Sequence, residues 1–324
     1  MEVKALKFGG LTAKRPIVQG GMGVGVSLSS LAGNVAKCGG IGTISGVHPG
    51  YREADFKENP FRANLRAIGN ELEKAKEIAN GGIIGFNFMT VMNHYEEYVK
   101  EAIAAGADFI VSGAGLPVNL AKYAAGTRAA ILPIVSSARA LKLIVKQWQR
   151  ADRLPDAVVV EGPLAGGHLG YPYGHLVDGT FDTLEDSLVD VVDYVRELEE
   201  KNGVIIPVIA GGGVRSHADM ERLMALGASG VQVGTKFVAT EECDAAPAFK
   251  QAYLRSRKED VQLIESPVGL AARAIRNSFL EKVEKQGRIP VQRCYQCMNH
   301  CKQAETKYCI SQALIDAVQG REGL

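Results

Sequence analysis

The run Ala165-Gly166-Gly167-His168-Leu169-Gly170 follows directly on the apolar segment Ala157 to Val160, which ends at Glu161. A histidine among glycines, just past a buried strand, is placed to touch a ligand. The glycines remove side chains that would fend off a flat ring and allow backbone angles that other residues resist. Similar polar or glycine residues close other apolar runs: Gln19-Gly20-Gly21-Met22, Asn87, Ser112-Gly113, Gly211-Gly212-Gly213 and Gln232-Val233-Gly234-Thr235. Bare N–H groups in such turns, with a helix start behind them, bind a phosphate with little need of lysine. Together these ends suit a flat heteroaromatic ring that needs amide hydrogen bonds on one edge and a clear face. An imidazole beside that ring could take a proton near neutral pH or hold an anion.

A second set of reactive side chains lies near the end of the chain. Cys294, Cys297, Cys301 and Cys309 crowd into one short segment, spaced more like metal ligands than like a disulfide framework. Four soft thiolates there would suit a tetrahedral zinc ion or an iron–sulfur cluster. Of the remaining cysteines, Cys38 is expected in the core of a helix face. His48, His94, His217 and His300 have no glycine context matching that of His168, so surface or capping roles are expected for them.

Eight short β-branched runs must position the first set. They are 17–19, 41–45, 83–88, 108–111, 131–135, 157–160, 205–210 and 230–233. Helical patterns alternate with them, over 28–37, 95–105, 138–149, 184–201 and 218–226, which is the sign of a parallel sheet built from βα units. Eight such units in about 235 residues predict an α/β protein, a closed (β/α)8 TIM barrel. An open dinucleotide-binding sheet would want a third glycine in the first turn, where Gly20 to Val26 has none at the required place. Three regions are expected: the barrel over 1–240, a helical substrate-side segment without strands over 241–290, and a cysteine-rich tail over 291–324 that packs on the barrel. The long connection 46–82, helical over 64–79, suits a rim or lid.

Composition narrows the class of partner. The 324 residues carry 37 Lys plus Arg against 36 Asp plus Glu, a net charge of +1. That balance argues against nucleic acid or an anionic membrane surface and leaves a small-molecule substrate. No segment approaches the length of a membrane span, and Met1 to Leu11 carries Lys4 and Lys7 without an apolar run. A cytoplasmic protein is expected, with a homo-oligomer compatible with the sequence.

Four ordered motifs, at Gln19 to Met22, Ala165 to His168, Pro207 to Gly212 and Val231 to Thr235, resemble the nitronate monooxygenase family, formerly the 2-nitropropane dioxygenases, and the related flavin-containing enoyl-acyl carrier protein reductases. The resemblance runs from about Pro16 to Leu280 and implies an FMN-bound barrel. It implies His168 as the catalytic residue, with Gly20, Gly21, Met22, Asn87, Glu161, Gly166, Gly167, Gly211, Gly212, Gly213, Gly234 and Thr235 around FMN. The implied activity is oxidation of nitronates or nitroalkanes with O2, and the alternative is NAD(P)H-dependent reduction of an enoyl thioester. One departure stands out: Leu164 occupies a position where the family usually has an acid. The cysteine spacing is similar to that of the cluster-binding stretch of flavin- and [4Fe-4S]-containing enoate reductases, which hints at electron delivery to FMN.

Overall fold

A computed structural model describes residues 4–299 and 301–321. Eight parallel strands close into a barrel: β3 (Ile17–Gln19), β4 (Ile41–Ser45), β5 (Ile83–Met89), β6 (Phe109–Gly113), β7 (Ala130–Val135), β8 (Val158–Glu161), β10 (Val208–Gly211) and β11 (Gly230–Val233). The neighbours run in chain order, and β11 pairs with β3 to complete the ring. All eight coincide with the expected runs to within a few residues. Val158, Val159 and Val160 are all fully buried because both faces of the sheet are covered. Val159 packs inside the barrel with Val18, Ile41, Phe109 and Leu132, while Val158 and Val160 meet the surrounding helices.

An N-terminal hairpin, β1 (Leu6–Phe8) and β2 (Leu11–Ala13), plugs the bottom of the barrel. Leu6 and Phe8 join the interior cluster, and the Phe8 ring meets that of Phe109 edge-on at 6.0 Å. The connection after β4 holds a helix, Pro60–Ala79, which starts four residues earlier than the pattern suggested. Asn59 caps it by accepting the Arg62 N–H, and Pro60 supplies a first-turn φ.

Beyond the barrel the expectation of helices alone is corrected. Helices do occur at Pro247–Arg255 and Ser278–Gln286, but between them β12 (Val261–Glu265) and β13 (Ala271–Ile275) form an antiparallel hairpin. β13 then pairs with β9 (Gly167–His168), the short strand that carries the imidazole. A side chain tightens this contact: Arg273 Nη1 donates to Ala165 O at 2.9 Å and to Pro163 O. The segment from 291 sits over the ends of β4 and β5, at the same end of the barrel as His168. Asn93 N–H donates to Cys297 O at 3.2 Å, and Arg293 Nη1 to Lys57 O at 3.1 Å. No helix among the described residues is long and apolar enough to cross a membrane.

Candidate functional site at the barrel mouth

His168 and Glu161 line one cavity of about 820 Å3 at the C-terminal ends of β6, β7 and β8. Its walls include Gly115, Ser136, Tyr171 and Tyr173, and the hairpin contributes Ser266, Pro267 and Gly269. His168 Nε2 lies 2.8 Å from Ser266 Oγ. Burial lowers the imidazole pKa to about 4, so the ring is neutral at ordinary pH. Glu161 keeps a little contact with the cavity, but the protein around its carboxyl pushes the pKa up to about 7. No side chain among the described residues pairs with that carboxyl. Tyr171 Oη donates to the Glu161 backbone O at 3.3 Å, and Ser136 Oγ to Gly170 O at 3.1 Å, which hold the two arms of the histidine loop.

The other expected residues are at the same end of the barrel without lining this cavity. They form a chain of close contacts around the mouth. A side chain at Gly212 (φ +97°) would strike the backbone of Gly162 at 2.9 Å, so the 211–213 turn lies directly on the 162–165 loop. Gly20 and Gly211 both face the Gln232 side chain, Gly234 faces Met22, and Gly21 packs against Asn87. Gly166 and Gly167 instead border open space, with nothing within 4 Å of where a Cβ would stand. A flat group has room on that face, and Glu161 offers an unpartnered polar edge; in these two respects the residues fit a flavin. Thr235 opens a four-residue helix, Thr235–Val238. Leu164, found where an acid was expected, is 59% exposed and lies against Gly213. Among the described residues the Arg273 guanidinium meets carbonyl oxygens in that loop and no carboxylate.

Sequence reasoning missed Ser266 and Arg273, since both belong to the unforeseen hairpin. A signal was present in Ser266-Pro267-Val268-Gly269, a Pro- and Gly-bearing turn between two short runs with β-branched residues. His48 was misplaced as well. It is buried, with Nε2 2.8 Å from Ser311 Oγ and Nδ1 3.3 Å from Asn64 Nδ2, and burial lowers its pKa to about 4. Cys38, expected in the core, is exposed at the end of its helix. His300 lies outside the described residues.

The cysteine tail places Cys294, Cys297, Cys301 and Cys309 around a separate cavity of about 380 Å3, which shares Pro267 and Thr306 with the His168 cavity. Among the described residues, however, no three His, Cys, Asp or Glu side chains are arranged to hold a metal ion. The expected zinc or iron–sulfur centre therefore finds no support in the arrangement of these side chains. Burial, reinforced by mutual repulsion of like charges, raises Cys297 to about 11 and also raises Cys301 and Cys309.

A parallel barrel whose strand ends gather glycine turns and a half-buried imidazole belongs to the barrel oxidoreductases. More narrowly, the chain belongs to the nitronate monooxygenase family, whose family model matches residues 4–324. A probable nitronate monooxygenase of Staphylococcus saprophyticus is 25% identical over 308 residues, covering 88% of this chain and 82% of that protein. A point mutant of FabK from Thermotoga maritima superposes with a TM-score of 0.64 at 26% identity, covering 83% of this chain and 76% of that one. The nitroalkane oxidase of Streptomyces ansochromogenes shares the fold with a TM-score of 0.59 at 23% identity, covering 82% and 78%.

Proposed function

We propose that the protein is an FMN-dependent monooxygenase that oxidises small nitronates with O2, and that His168 is its catalytic residue. The observation that carries this reading is the position of His168: half-buried on β9, facing a cavity with an open glycine face beside it. Family membership supports FMN as the cofactor. When bound, FMN supplies the electron acceptor that the chain lacks and passes electrons on to O2. Gly211, Gly212, Gly213, Gly234 and Thr235 suit its phosphate, and Gly20, Gly21, Met22 and Asn87 suit the edge of its ring. Gly166 and Gly167 leave its face clear, and Glu161 faces its polar side. The chain's own work is then to seat a small anion against His168 and to wall the cavity with Tyr171, Tyr173 and the β12–β13 turn.

Enoyl thioester reduction with NAD(P)H is the second reading. A cavity of about 820 Å3 favours it, being roomy enough for an acyl chain beside a ring. Anaerobic half-reactions separate the two. Under the first reading propionate-3-nitronate bleaches the bound flavin rapidly and NAD(P)H does so slowly or not at all; bleaching by the pyridine nucleotide alone rejects it. His168→Ala should keep the flavin yet lose about a hundredfold or more in kcat. Undiminished turnover in that variant would remove His168 from the mechanism.

A further inference from the structure

The proton of His168 can sit on either ring nitrogen, and the β12–β13 hairpin bears on which. β13 pairs with β9 so that Ala272 stands opposite His168, and Leu169 N–H donates to Ala271 O at 2.8 Å. This brings the turn at Ser266 over the imidazole. Ser266 is 5% exposed, and its backbone is held within the turn: its N–H donates to Leu270 O at 3.0 Å, and Gly269 N–H donates to its carbonyl at 2.9 Å. Two groups meet its hydroxyl oxygen. Val268 N–H approaches at 3.4 Å and can only donate, whereas His168 Nε2 at 2.8 Å can accept. Among the described residues Nε2 is the only acceptor that the hydroxyl proton reaches. A neutral imidazole with Nε2 accepting carries its single proton on Nδ1, and Nδ1 makes no hydrogen bond among the described residues.

We propose that Ser266 is a positioning residue that holds His168 as the neutral Nδ1–H tautomer, so that the imidazole offers the cavity a hydrogen-bond donor and not a base. Burial of the ring supports the neutral state. This inference rests on the cavity being the substrate site, and it sharpens the substrate class. A nitronate arrives already deprotonated, with its charge on two oxygens that an N–H can hold. A neutral nitroalkane must first lose its α-proton, and Nδ1 in this tautomer has no lone pair to take it. The preferred substrate is therefore the preformed anion.

The test is NMR of the flavin-loaded, full-length protein with isotope-labelled histidine ring nitrogens, the His168 signals being assigned by their loss in His168→Asn. Expected is a protonated Nδ1 and a bare Nε2. Ser266→Ala should give a mixture of tautomers and lower kcat on propionate-3-nitronate by about tenfold, as loss of one buried hydrogen bond would. Ser266→Thr keeps a hydroxyl and should restore both the single tautomer and most of the rate. A wild-type ring protonated at Nε2, or an unaltered tautomer in Ser266→Ala, overturns the proposal. Wild-type protein that shows the Nδ1–H ring yet leaves nitronates untouched upholds the role of Ser266 and rejects the proposed function instead.

Discussion

Glu161 and His168 stand in one cavity, and burial drives their pKa values in opposite directions, which has consequences for stability against pH. Unfolded imidazoles take up a proton as pH falls through about 6.5, whereas folded His168 and His48 hold out until about 4. Between those values the unfolded chain binds more protons, so stability declines as pH falls from about 6.5 to 4. Glu161 acts the other way. Unfolded, it releases its proton near 4.5; folded, it keeps it until about 7, so stability declines as pH rises through that window. Glu161→Gln removes only the second slope. In urea unfolding of flavin-free protein the variant should match wild type within about 1 kcal/mol at pH 5 and exceed it by about 2 kcal/mol at pH 8. Equal differences at the two pH values would show that Glu161 is not held protonated. Both residues were legible in the sequence because each lies at or just beyond the end of one apolar run. Ser266 was not, because it approaches His168 across a sequence separation of 98 residues through a hairpin.

That hairpin shows what periodicity hides at the level of elements. Ala271-Ala272-Arg273-Ala274-Ile275 is rich in helix formers, and its strand state comes from pairing with β12 and β9, a tertiary choice that local propensity does not announce. The eight barrel strands were legible for the opposite reason, since burial on both faces demands unbroken β-branched runs. Helix caps divide in the same way. Thr183 and Ser216 form capping boxes with Asp186 and Asp219, close in sequence. The helix Ser29–Lys37 has no side-chain cap of its own, and Asp244 serves it from beyond the last barrel strand. Its carboxylate accepts from Leu28 N–H at 2.7 Å, Leu31 N–H at 3.1 Å and Ser30 N–H at 3.2 Å. Asp244→Ala orphans three donors at a helix start and should cost about 2–3 kcal/mol in urea unfolding. Asp244→Asn, which keeps an acceptor, should lose about half as much. A loss under about 0.5 kcal/mol in the alanine variant would mean that water replaces the carboxylate.

On the scale of the whole molecule, the two ends of the barrel divide stability from substrate handling, as strand direction in such barrels predicts. The bottom is sealed by β1 and β2, whose Phe8 fills the interior against Phe109 and is 4% exposed. At the mouth the tail is seated by aromatic stacking of Tyr295 on Phe56 at 5.4 Å and by the His48 contact with Ser311. Glu305, Thr306 and Lys307 of the tail line the cavity of His168, so its seating sets one wall of that cavity. Phe8→Ala should therefore lower stability by about 3–4 kcal/mol while leaving kcat and KM near wild type at temperatures where the variant is folded. Tyr295→Ala should do the reverse in kind: a smaller loss of stability, about 1–2 kcal/mol because Tyr295 belongs to an appended segment, with KM for the nitronate raised severalfold. Steady-state kinetics beside thermal unfolding of the two variants measures both effects. A Phe8→Ala protein with altered KM would mean that the two ends are coupled through the barrel itself, and a Tyr295→Ala protein with unaltered KM that the tail does not shape the cavity.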